Sequence, residues 1–107
     1  MSSKIKLVQG DNYPYIKLTL TNPDGSPVDV SAAIVLIKFR AVGTAVTLTT
    51  ITASNVATGT DGVVQFNFPG ATLSVPPGMY EGEIEINFSG LYQTVYDVLS
   101  FAVRAQF

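Results

Sequence analysis

Short runs in which apolar and polar residues alternate, each closed by Asn, Asp, Gly, Ser or Pro, predict an all-β, two-sheet antiparallel sandwich of about seven strands. No segment carries the three-to-four-residue repeat of an amphipathic helix. Hydrophobic residues make up 47% of the chain and charged residues 13%, a balance that favours a packed core over disorder. A length of 107 residues suits one domain, residues 1–107, burying roughly 60–70% of its unfolded surface.

A short first strand is expected at residues 5–8. From Tyr15 onward, Ile16, Leu18 and Leu20 alternate with Lys17, Thr19 and Thr21, until Asn22-Pro23-Asp24-Gly25-Ser26-Pro27 supplies turn chemistry at every position. Residues 33–41 are rich in β-branched side chains, with Val35, Ile37 and Phe39 on one face. Residues 46–52 alternate weakly and are rich in Thr, which suits a short or edge strand. After a polar loop at 55–62 ending in Asp61-Gly62, Val64, Phe66 and Phe68 mark the next strand. Pro76-Pro77-Gly78 is a sharp turn, and Tyr80, Ile84, Ile86 and Phe88 then alternate with Glu81, Glu83, Glu85 and Asn87. Ser89-Gly90 predicts a tight hairpin, with residues 91–103 running back. Short strands at this spacing suit an immunoglobulin-like sandwich.

That arrangement makes the third strand and the Glu-rich strand neighbours. Lys38 and Arg40 should therefore pair with the Glu81, Glu83, Glu85 row, each pair contributing about 0.2–1 kcal/mol. The hairpin places Ile84 opposite Val95 and Tyr80 opposite Leu99, and turns Val95, Leu99, Phe101 and Val103 inward. Asp97 would then also face inward, so a bulge is expected at Tyr96-Asp97.

Composition excludes several chemistries. Without cysteine there is no disulfide and no thiolate metal site; without histidine there is no Ser-His-Asp triad and no imidazole ligand. A glycosidase pair drawn from Glu81, Glu83 and Glu85 would lack the apolar pocket that keeps one acid protonated. Asp24, Asp29 and Asp61 sit in turns and lack the spacing of a calcium loop. No enzyme and no cofactor are expected. A net charge of −2 disfavours nucleic acid, no apolar run nears a membrane span, and the first residues lack a signal peptide.

What remains is contact surface. Tyr13, Tyr15, Tyr92 and Tyr96 are candidates, as exposed tyrosines favour protein or sugar contacts, although half-buried tyrosine is common in strands. Phe107 should pack on its own domain or on a neighbour. The 46–52 edge has neither proline nor lysine to block pairing, so Leu48 and Thr50 are expected at an interface. Proline at either should impair assembly and leave the sandwich folded.

Four motifs recur in order: Gln9-Gly10-Asp11-Asn12-Tyr13-Pro14, the stretch from Leu20 through Asp24-Gly25-Ser26-Pro27-Val28-Asp29 to Ala33, Asp61-Gly62-Val63-Val64, and Pro77-Gly78-Met79-Tyr80. Over roughly residues 9–88 this set resembles the immunoglobulin-like domain at the N-terminus of phage baseplate upper proteins and of related tailed-phage virion proteins. The resemblance implies a non-catalytic virion component, assembled in the host bacterial cytoplasm as a symmetric homo-oligomer in contact with other virion proteins. A tail, baseplate, neck or capsid-decoration position fits it. The alternatives are a carbohydrate-binding or adhesion module, which would want clustered aromatics, and a bacterial surface domain.

Overall fold

Alternation in the sequence becomes strand in the computed structural model, which describes residues 4–95 and 98–107. The strands are β1 (Lys4–Val8), β2 (Ile16–Thr19), β3 (Ile34–Ala41), β4 (Thr49–Thr52), β5 (Ser54–Asn55), β6 (Val63–Phe66), β7 (Gly78–Phe88), β8 (Leu91–Thr94) and β9 (Leu99–Arg104). They form two layers. The larger sheet has the order β1-β9-β7-β3-β4, with β8 also on β7; the smaller is β2-β6-β5. With β2 as B, β3 as C, β6 as E, β7 as F and β9 as G, this is the strand order of an immunoglobulin sandwich with an added C′ strand.

The expected all-β, two-sheet, mostly antiparallel sandwich is present, with three corrections of detail. The described residues form nine strands because the long return splits into β8 and β9, and Ser54–Asn55 adds a two-residue strand at the start of the expected polar loop. The sheets are not wholly antiparallel, since β1 pairs with β9 in parallel, Lys4 opposite Ser100 through Val8 opposite Arg104. Tyr80 stands opposite Phe101 and not Leu99.

The last correction has a local cause. Val95 N–H donates to the Ile84 carbonyl at 2.9 Å, as the hairpin predicts. Glu85 faces Thr94 while Gly82 faces Leu99, so three steps along β7 match five on the return. The register slips by two residues, which preserves parity and keeps Phe101 and Val103 in the core. The bulge expected at Tyr96-Asp97 lies outside the described residues.

Turn chemistry holds the register elsewhere. Ser89 and Gly90 both have positive φ, 55° and 99°, the pair required by a two-residue turn that follows strand twist. Gly62 has φ of +74°, and a Cβ there would lie 2.4 Å from the Leu20 carbonyl oxygen, so only glycine fits.

The core fills the space between the layers. Val35, Ile37 and Phe39 from β3 meet Ile84 and Ile86 from β7 and Val64 and Phe66 from β6, all buried. Phe39 is its aromatic centre, stacked on Tyr80 at 5.2 Å and tilted against Phe101 at 5.5 Å. The Tyr80 hydroxyl donates to the Pro76 carbonyl four residues upstream, the tyrosine corner that fixes the start of the F strand.

Candidate interaction surface

The outward face of the large sheet carries its charge in two adjacent rows. Arg40 faces Glu81 directly, and its Nε donates to the carboxylate at 2.6 Å. Lys38 faces Glu83 but reaches along the sheet to Glu85 at 3.4 Å. The expected cross-strand pairing is therefore present, with one diagonal. Apolar side chains flank the charges: Ile34 across from Asn87 at one end, and Val42 beside Met79 at the other.

The tyrosines do not come together. Gln9 and Gly10 bond the carbonyls of Val75 and Leu73, which lead into β7, so Tyr13 and Tyr15 belong to that end of the sandwich. Tyr92 faces Asn87, near the far end of the 11-residue β7, roughly 30 Å of strand away. Each ring is exposed, Tyr13 most of all at 85%. Tyr96 lies outside the described residues. Among the described residues, the exposed tyrosines at the two ends are not neighbours.

Phe107 does not pack on its own core. Its ring is fully exposed, and the Arg104 guanidinium sits 4.8 Å above it.

β4 is an edge strand, bonded only to β3 among the described residues. Ala53 N–H donates to the Val35 carbonyl at 2.9 Å, and the antiparallel alternation carries that pairing to Ile51 and Thr49. The N–H and C=O groups of Thr50 and Thr52 therefore point outward. Leu48 behaves differently: its N–H donates to the Phe39 carbonyl at 2.8 Å, next to the Thr49–Phe39 pair, which is a β-bulge. The two positions are not equivalent, and the expectation that proline is harmless to the fold at both is corrected at Leu48.

The other edges contrast with β4. Lys4 and Lys6 project from β1, Lys17 from β2, and β5 has only two residues. β8 is uncharged and exposed along its length, with Leu91 75% and Tyr92 65% accessible. Leu91, Val42 and Met79 are further exposed apolar residues that the sequence pattern does not single out, and Val46 is exposed at the start of the expected 46–52 edge. Leu91 immediately follows the Ser89-Gly90 turn, at the exposed tip of the β7–β8 hairpin.

Two acidic turns bracket Val28. The carboxylates of Asp24 and Asp29 accept from the hydroxyl and N–H of Ser26 and of Ser31 respectively. Both carboxyls are held below the usual carboxylate range, first by the side-chain hydrogen bond and then by the backbone one. These are closed turns. No group of three or more acidic residues suited to a metal occurs among the described residues.

No family model matches the chain, and no curated protein does. Among solved structures, the chain is similar to the "N-terminal domain of phage TP901-1 ORF48", with a TM-score of 0.58 and 11% identity, over 98% of this chain and 86% of that one.

Proposed function

We propose that this chain is a non-catalytic structural component of a tailed-phage virion, in the tail, baseplate or neck or as a capsid decoration. It works through protein–protein contacts, as a homo-oligomer among other virion proteins. The observation that carries this reading is the end-to-end fold likeness to the phage TP901-1 ORF48 domain. The ordered Gly-Asp, Asp-Gly-Ser-Pro-Val-Asp and Pro-Gly-Met-Tyr motifs point the same way. The surface supports it too, because β4 presents outward N–H and C=O groups with no lysine or proline to deter a neighbouring strand.

The test is peptide mass spectrometry on particles purified from a lysogen or infected culture that encodes the chain. The expected result is recovery in fixed ratio to the other tail or capsid proteins through gradient purification. Absence from purified particles, with the chain present in the lysate, overturns the proposal.

A further inference from the structure

The smaller sheet has three strands among the described residues where the immunoglobulin arrangement has four. The first strand, β1, pairs with β9 in the larger sheet instead. Along the side of β2 away from β6, no described strand is paired. Among the described residues the sandwich is open beneath that edge, where a cleft of about 300 Å³ separates β2 from the β8–β9 side of the large sheet. Its apolar lining includes Leu18, Ile84, Val95 and Leu99; Leu18, Val95 and Leu99 pack against the core yet are only partly buried.

Backbone geometry identifies what faces this opening. Leu20 N–H donates to the Gly62 carbonyl at 2.8 Å, in register with Leu18 opposite Val64 and Ile16 opposite Phe66. The antiparallel alternation turns those residues toward β6 and leaves the N–H and C=O groups of Lys17 and Thr19 outward. Thr21 continues the series, since its bridge to Pro27 lies between the Val28-to-Leu20 and Asn22-to-Ser26 bonds. Outward backbone groups at every second residue, above a cleft lined mainly by apolar side chains with Thr19, Thr21 and Gln93 among them, are the chemistry of a strand acceptor.

We infer that this side of the sandwich accepts an extended segment of another protein as the fourth strand of the small sheet. The segment carries apolar side chains at alternate positions, facing the cleft. Its other residues lie on the outer face beside Lys17, where an acidic side chain is favoured. The same charge argues against a second copy supplying its own β1: Lys4 and Lys6 would stand beside Lys17 as like charges. β8 of a second copy offers no acid. The inference is independent of the virion reading and of the β4 edge.

The experiment is amide hydrogen exchange by NMR on the full chain with a capped synthetic peptide, Val-Thr-Val-Glu-Val-Thr-Val on a Gly-Ser solubilising tail. A second peptide has Lys in place of Glu. The expected result is exchange slowed about tenfold or more at Lys17, Thr19 and Thr21, with the Glu peptide binding more tightly at low salt. Thr19→Pro, which removes an outward N–H and no bond to β6, should abolish the protection. Lys17→Glu, a surface change, should reverse the preference between the peptides. Protection at Thr50 and Thr52, or at Tyr92 and Thr94, overturns the inference, as does no protection up to about millimolar peptide. It is also overturned if the three amides are already protected without peptide, because the chain or a copy then fills the place.

Discussion

Lys38 bypasses Glu83, the residue directly across from it, and bonds Glu85 two positions further along the same strand. Glu81 is already held by Arg40, so Glu83 stands between two ion pairs without one of its own among the described residues. Glu83→Gln should therefore change stability by less than about 0.3 kcal/mol, while the Arg40–Glu81 pair should show a coupling of about 0.2–1 kcal/mol. Urea denaturation of the single and double variants measures both, and salt should erode the second.

Tyr80→Phe keeps the ring stack on Phe39 and removes only the hydroxyl that caps the Pro76 carbonyl. A loss of about 1–3 kcal/mol is expected, because the carbonyl loses its partner without gaining packing. Thermal unfolding, with near-ultraviolet dichroism to verify an intact core, checks it.

Gly62 and Gly70 both have positive φ but differ in their surroundings. A Cβ at Gly62 meets backbone at 2.4 Å, whereas at Gly70 it meets nothing within 4 Å. Gly70→Ala should cost about 1 kcal/mol of backbone strain alone. Gly62→Ala should cost several times more, because the β2–β6 crossing at Leu20 must open. Equal melting temperatures for the two variants would refute this.

Proline separates the two roles along the β4 edge. Leu48→Pro removes the bond to Phe39 and should lower the unfolding midpoint. Thr50→Pro removes an outward-facing N–H and should leave the midpoint nearly unchanged. If β4 mediates assembly, light scattering across a concentration series will show a smaller oligomer for Thr50→Pro than for the parent chain.

Asp24 and Asp29 favour the ionised form in the fold, because Ser26 and Ser31 donate to their carboxylates. Their stabilising effect is complete above the unfolded value near 3.8 and disappears as the pH falls through the lower folded values. Ser26→Ala should raise the Asp24 pKa and leave Asp29 unmoved, and Ser31→Ala the reverse, as read by NMR titration of the carboxyl carbons.

Most of the fold was legible because period-two alternation is a direct record of burial. Val35, Ile37, Phe39, Val64, Phe66, Ile84 and Ile86 lie in the core where the pattern placed them. Leu18 shows the same alternation but is only half-buried, since it lines the cleft; local sequence cannot report which strand lacks a neighbour. Val30 and Leu73 are wholly buried yet belong to loops, where no periodicity marks them. The parallel pairing of β1 was equally hidden, because side-chain alternation reads the same for either strand direction. The exposed tyrosines could be named from sequence, but their separation depends on which end of β7 each adjoins.

The parallel β1–β9 ladder gives the molecule a direction under load. Tension applied between Lys4 and Arg104 would pull at opposite ends of five registered pairs, from Lys4–Ser100 to Val8–Arg104. The rungs would be loaded together in shear and could not peel one after another, so the weakest bond would not set the breaking force. Along the strand axis that ladder is therefore the stiff direction of the sheet, and across it the sheet peels rung by rung.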